Sequence, residues 1–344
     1  MKPLKKRFAD SLPGAFFLET ETPGKIQDYL SRQNWTNGFE KTVEHVEKPG
    51  DGNMNFVLRV EFQDGDSLIL KQARPWVEKY PQYEAPLERL KVEKRYYEVV
   101  TRDNLLRAFS PELIGFDPKS NIMAIEDLGQ AVDLTFIYKI NEQPGDEILE
   151  ECLQYLNRLQ RLPAPKSFPG NLGMRQLNHQ HIFKLPFMQD NGFELDQIQP
   201  GLKAIANKYA GLNVSDLGEK YLGKGTTLAH GDFFPGSLLQ SAGQLKVIDP
   251  EFAFIAPAEW DIAIFTAHLY MAGWDEPRIK SIFDRLEPLK EFDFGDFSGF
   301  TGVEVMRRLI GLAQLPLELT LEEKDRLLEK ASQWMHNRQI PALA

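Results

Sequence analysis

Near residue 126 the apolar pattern of this chain changes its period, and that change constrains the fold more than any other feature. Before it, short alternating runs stand between turn signals: Thr42-Val-Glu-His-Val, Phe56-Val-Leu-Arg-Val-Glu-Phe and Ser67-Leu-Ile-Leu-Lys, separated by Pro49-Gly-Asp-Gly-Asn and Asp64-Gly-Asp. A period of two with turn chemistry between runs predicts an antiparallel meander. Residues 24–34 after Pro23 read as a short helix, and 84–108 as a longer one with Leu87, Leu90, Tyr97, Val100 and Leu105 inward. Glu112-Leu-Ile-Gly-Phe and Ile122-Met-Ala-Ile add two strands. Beyond Glu126-Asp-Leu-Gly-Gln the spacing is mainly helical, at 146–162, 200–210, 258–272, 276–287, 302–314 and 320–336. A hairpin-like interruption runs from Thr227-Leu-Ala-His to Lys246-Val-Ile-Asp. The pattern predicts an α+β chain with two lobes and a cleft between them. Residues 1–126 form a lobe with a five-stranded antiparallel sheet and one helix besides the N-terminal one, and residues 127–344 a larger helical lobe.

Bulk properties narrow the function. The chain has 344 residues, too many for one small core. Its net charge is −10 and no Lys/Arg stripe appears, so no nucleic-acid partner is expected. One cysteine, Cys152, permits no intrachain disulfide. No run approaches the roughly 20 apolar residues that span a bilayer, and the basic start, Met1 to Arg7, is followed by no apolar stretch of the signal-peptide kind. A cytoplasmic protein with no membrane partner is expected; a homodimer is left open.

Four places carry residue types suited to chemistry. Gly50-Asp51-Gly52-Asn53 lies between two strands, where glycines let backbone N–H groups approach a phosphate; a plain hairpin turn is the ordinary alternative. Lys71 ends an apolar strand and can act as a point charge toward phosphates, with Glu93 on the next helix able to orient it. Glu88 and Glu98 are rivals for that role. The strongest pattern is His230-Gly-Asp-Phe-Phe-Pro-Gly-Ser followed by Val247-Ile-Asp-Pro-Glu, with Asp249 seventeen residues after Asp232. Two apolar strands each delivering an acid to one mouth suit phosphoryl transfer: Asp232 for the hydroxyl proton, Asp249, Glu251 and Ser237 as oxygen ligands of Mg²⁺. With six histidines and no Cys/His cluster a zinc site is not indicated, and His230 reads as a packed histidine holding the turn. Asp261, at a helix start, can cap that loop. Arg307 and Arg308 stand in an apolar helical setting; neighbours on a helix point about 100° apart, so at most one is expected to face a cleft, and a surface salt-bridge pair is the plainer reading.

Together these residues resemble the aminoglycoside phosphotransferase/choline kinase superfamily, and within it the methylthioribose kinases. The superfamily pattern matches His230-Gly231-Asp232, Asp249 and Asp261. The narrower likeness lies in Asp51-Gly-Asn-Met-Asn-Phe-Val, Lys71-Gln-Ala-Arg-Pro, Glu126-Asp-Leu, Met174 to Phe187, Gly236-Ser237, Asp249-Pro-Glu-Phe-Ala-Phe and Arg307-Arg-Leu-Ile-Gly-Leu-Ala. The resemblance implies a bilobal, protein-kinase-like fold and an ATP- and Mg²⁺-dependent transfer to the hydroxyl of a small molecule, giving the 1-phosphate of a methylthio-pentose. It assigns Asp51, Gly52, Asn53, Lys71 and Glu93 to the nucleotide, and Glu126, Asp127 and Leu128 to a hinge offering backbone contacts to adenine. It assigns Ser237, Asp249 and Glu251 to the metal, Asp232 to catalysis, and Asp232, Arg307 and Arg308 to the acceptor. Two departures bear on the acceptor: Phe233-Phe234-Pro235 stands where methylthioribose kinases carry His-Thr, and the interval from Asp261 to Arg307 is short. Another sugar, an amino alcohol or an aminoglycoside therefore stays open as acceptor, as does a nucleotide-binding pseudokinase.

Overall fold

A computed structural model describes residues 2–20, 22–36, 41–50, 52, 54–140 and 142–343. The chain divides into two compact units, Met1–Gln130 and Ala131–Ala344.

The first unit opens with helices α1 (Lys2–Ser11) and α2 (Pro23–Gln33), then strands β1 (Val43–Glu47), β2 (Phe56–Phe62) and β3 (Ser67–Gln72). Helices α3 (Arg89–Val100) and α4 (Asn104–Ala108) and strands β4 (Leu113–Asp117) and β5 (Ile122–Glu126) complete it. All neighbours in the sheet are antiparallel, in the order β1-β2-β3-β5-β4. Alternation along β2 and β3 puts Leu58, Val60, Leu68 and Leu70 on one face, where Ile26, Tyr29 and Leu30 of α2 cover them. Each such side chain contributes on the order of 2 kcal/mol when fully buried. Lys71 points to the opposite face.

The helix expected over 84–108 is two helices. Thr101–Asp103 break it, and Asp103 caps α4 by accepting from the N–H groups of Leu105 and Leu106. The new helix axis turns Leu105 outward, 39% exposed, against the inward position expected for it. Arg89 at the start of α3 is wholly buried: its Nε donates to Asn55 Oδ1 (2.8 Å), and its terminal nitrogens to the carbonyls of Met54, Arg74 and Pro86.

The second unit runs β6 (Val132–Asp133), α5 (Asp146–Arg161), α6 (Leu172–Phe183), α7 (Leu195–Ile198), α8 (Leu202–Ala206), α9 (Ser215–Leu222) and β7 (Thr227–Ala229). It continues with β8 (Leu238–Ser241), β9 (Gln244–Val247), β10 (Phe254–Ala256), α10 (Trp260–Met271), α11 (Glu276–Phe283), α12 (Phe294–Ile310) and α13 (Leu321–Asn337). α10 is buried along its whole length, which its nearly unbroken apolar sequence requires. Trp260 anchors it among Tyr221, Phe254, Phe183 and Phe300. The strands do not pair as a single hairpin: β7 pairs with β10, while β8 pairs with β9 and β6. The helix expected over 302–314 begins eight residues earlier, where Asp293 accepts from Asp296 N–H and caps it.

Candidate functional site

In the first unit β3 carries Lys71 to the sheet face under α3. Its Nζ lies 2.6 Å from Glu93 Oε1, with side chains 4% and 0% exposed. Glu93 is thus the partner among the three candidates; Glu88 is exposed, and Glu98 pairs with Lys94 and Arg95. Burying both charges together avoids the cost of burying either alone. Asp51 and Asn53 lie outside the described residues. Gly52 is exposed, and its N–H meets Gly50 O at 3.1 Å.

At the end of β5, Glu126 is tied to Glu112: its N–H donates to Glu112 O, and its carboxylate accepts from Glu112 N–H. The Asp127 carboxylate accepts from Arg59 Nε (2.7 Å), Arg59 Nη2 (3.2 Å) and Gly129 N–H (3.0 Å). Asp127 first among its neighbours holds the Arg59 guanidinium above its usual pKa. The Asp127 side chain is therefore held by Arg59 and Gly129 within this unit; Leu128 beside it is half-buried.

In the second unit β7 delivers His230-Gly231-Asp232. Gly231 has φ +90°, and a Cβ there would lie 2.2 Å from Phe252 O, so only glycine fits. Asp261, in the first turn of α10, accepts from His230 N–H (2.6 Å) and Gly231 N–H (3.0 Å). Burial nevertheless pushes its carboxyl up to about 7. Trp260 Nε1 donates to Gly231 O (3.1 Å). His230 is fully buried; its Nε2–H donates to Ile248 O (2.9 Å), and its Nδ1 accepts from Asp232 N–H (3.4 Å). One ring therefore ties the backbone of Asp232 to the residue preceding Asp249. Ser237, buried, adds a second tie by accepting Ile248 N–H at its carbonyl (3.0 Å).

Asp249 takes a left-handed conformation (φ 62°) and opens the Pro250–Phe252 turn, on which Glu251 is buried. The carbonyls of Glu251 and Ala253 both accept from Asn171 Nδ2, at 2.9 and 3.0 Å. Asn171, which follows Pro169-Gly170, is a residue the sequence reading missed. The donors here are carboxylate and hydroxyl oxygens, suited to a hard cation and not to zinc. Among the described residues no group of three His, Cys, Asp or Glu forms a protein cage. Mg²⁺ fits such a site, because it is usually held by one or two carboxylates plus phosphate oxygens.

The arginine pair departs from expectation. Both arginines are buried, and both reach Asp232. Arg307 Nη1 lies 3.2 Å and Arg308 Nη2 2.9 Å from the same oxygen, Oδ1. The angular argument failed because it ignored the length of the side chains and the acid between them. Glu304, three and four residues earlier on α12, accepts from Arg307 Nη1 (3.0 Å) and Arg308 Nε (2.6 Å). Nearby Arg307 and Arg308 hold the Glu304 carboxyl well below the usual range despite its burial. Behind Glu304, His268 Nε2 is 3.2 Å from Oε1, and His268 Nδ1 is 2.6 Å from the Tyr138 hydroxyl. Burial pushes His268 down to about 4. Sequence reasoning missed Glu304, His268 and Tyr138. The one available signal was the i−3/i−4 spacing of Glu304 from the two arginines.

The two phenylalanines after Asp232 part company. Phe233 is buried, stacked on Tyr155 and edge-on to His230 and Phe265. Phe234 is half-buried and lies against the Arg308 guanidinium (4.5 Å), beside His268 and packed on Gly236.

Residues 45–294 match the model of the phosphotransferase enzyme family. Methylthioribose kinase of Exiguobacterium sibiricum is 28% identical, with 84% of this chain and 85% of that protein covered. Methylthioribose kinase of a Geobacillus species is 29% identical, with 81% of each chain covered. Among solved structures, choline kinase LicA from Streptococcus pneumoniae superposes with TM-score 0.51 at 14% identity, covering 92% of this chain and 99% of that one. That likeness concerns the fold.

Proposed function

The chain belongs to the phosphotransferase enzyme family and is a small-molecule kinase, and from that premise we propose that it moves the terminal phosphoryl group of ATP, with Mg²⁺, to a hydroxyl of a methylthioribose-like sugar. The observation that carries this reading is the buried Asp232 carboxylate, fixed at Oδ1 by Arg307 and Arg308. No described residue bonds its other oxygen, so Oδ2 is left to accept from the incoming hydroxyl and align it for attack. The free nitrogens of the same arginines then meet the sugar or the phosphoryl oxygens as charge develops.

Lys71, held by Glu93, bonds phosphate oxygens of the nucleotide as a point charge. Asp51, Gly52 and Asn53 contribute a glycine-loop cradle, and the backbone of Glu126, Asp127 and Leu128 pairs with adenine. Asp249 and Glu251, with Ser237 nearby, hold the Mg²⁺, which when bound neutralises charge on the phosphates. The His230 ring keeps Asp232 and Asp249 in fixed relation.

Two of the relatives at 28–29% identity support the methylthioribose acceptor. A second reading, another small hydroxyl acceptor, is favoured by Phe234, whose ring lies against Arg308 next to Asp232. Turnover with ATP across methylthioribose, other sugars, amino alcohols and aminoglycosides tests both. Methylthioribose should give the highest kcat/KM; phosphorylation of a different acceptor alone would leave the kinase and remove the sugar assignment.

A further inference from the structure

Asp232 alone does not explain the buried polar set beneath it. Two carboxylates and two guanidiniums, none more than 11% exposed in its side chain, alternate so that each arginine touches both acids. Glu304 Oε1 receives Arg308 Nε and His268 Nε2, while Oε2 receives Arg307 Nη1. An ionised carboxylate can only accept, so His268 must carry its proton on Nε2, and its Nδ1 must then accept from the Tyr138 hydroxyl. For a neutral ring, which burial favours, no other order of donors satisfies both contacts. Arg307 Nε is buried with no partner among the described residues, so the orientation of this guanidinium comes from Nη1, which bonds Glu304 and Asp232 together.

We propose that Glu304, backed by His268 and Tyr138, is a positioning residue that holds both arginines on one oxygen of Asp232 and so keeps the other oxygen turned to the acceptor hydroxyl. The proposal rests on the reading of Asp232 as the group that meets that hydroxyl. Without the Glu304 charge, two guanidiniums share one carboxylate. Each then has donors to spare for Oδ2, and Asp232 is drawn away from the acceptor.

The test uses the full chain with ATP, Mg²⁺ and methylthioribose, or whichever acceptor the wild type phosphorylates best. Glu304→Gln, close in shape, should lower kcat by about 30-fold while KM for ATP stays within about twofold. Tyr138→Phe, which removes one hydroxyl and keeps the ring, should lower kcat by about threefold. The fall in kcat at unchanged KM for ATP is the readout that a merely structural role does not give, and ring ¹⁵N NMR of His268 reports the hydrogen bond itself. The wild type should show the Nε2–H form at neutral pH, and Glu304→Gln should lose it in part. Should Glu304→Gln not fold, the Tyr138→Phe kinetics and the wild-type ring spectrum decide. Undiminished kcat in a folded variant, or a wild-type ring protonated on Nδ1, overturns the proposal alone. A wild type that phosphorylates none of the acceptors overturns the functional reading, and this proposal with it.

Discussion

Each unit buries opposite charges, but with different arithmetic. In the first, one lysine meets one glutamate, Lys71 with Glu93. In the second, two arginines are interleaved with two acids, Asp232 and Glu304, and a neutral histidine backs the set. In the single pair one contact carries the arrangement: losing Glu93 takes away the carboxylate that Lys71 meets at 2.6 Å. The four-group set has redundancy in charge but none in direction, because both arginines converge on one oxygen. The first arrangement holds a charge in place, and the second aims a carboxylate.

Changes at the aimed carboxylate should have the largest effect. Asp232→Asn is expected to lower kcat about 100-fold or more with little change in KM for ATP, measured by steady-state turnover. Comparable loss in both constants would mean that Asp232 serves binding as much as chemistry. Next comes the single pair. Glu93→Ala removes a carboxylate 2.6 Å from the buried Lys71 ammonium, and should cost about 2–3 kcal/mol of stability in denaturant melts while raising KM for ATP. If it costs nothing, the pair is not the rigid element that the contrast requires.

The third effect concerns pH. Burial holds His268 at about 4 in the folded state, against 6.5 ordinarily. Its folded pKa is depressed, so the unfolded chain takes up the proton first as pH falls. The neutral folded ring is favoured above 6.5, and that contribution is lost progressively between 6.5 and 4. Relative to His268→Gln, the wild type should lose about 2 kcal/mol between pH 7 and pH 5, read by denaturant melts at each pH. Comparison with the variant removes Asp261, whose raised pKa acts in the opposite direction. The smallest effect is at the rim of the set. Phe234→Ala removes the ring against Arg308 and should raise KM for the acceptor about threefold to tenfold, with KM for ATP unchanged.

What could be read from the sequence was what is local. The sheet strands were legible because alternation and turn residues sit side by side. Lys71 and Glu93 were legible because a strand-end lysine precedes a helix. Asp232, Asp249 and Asp261 share one stretch with strong apolar flanks. What was hidden depends on distance or on weak signals. Tyr138, His268 and Glu304 meet from positions up to 166 residues apart, and nothing local marks a buried neutral histidine. Phe294-Gly-Asp-Phe-Ser-Gly-Phe stayed outside the helix expected from 302 because glycine disfavours helix, yet the Asp293 cap and dense packing make it the first turns of α12. The short α9 and the low-amphipathicity α6 escaped for the same reason: packing rather than propensity holds them. The supposed hairpin from Thr227 to Asp249 failed because β8 lies between its two strands and each found another partner, β10 for β7 and β8 for β9.

The His230 ring joins the backbones of Asp232 and Ile248 like a rivet through two plates. Neither loop can be moved in isolation, because displacing one drags its neighbour; under the proposed function, metal affinity and acceptor chemistry are then inherited as a package. Diversification toward new substrates would then proceed through side chains around the rivet, such as Phe234, while the riveted frame stays as it is.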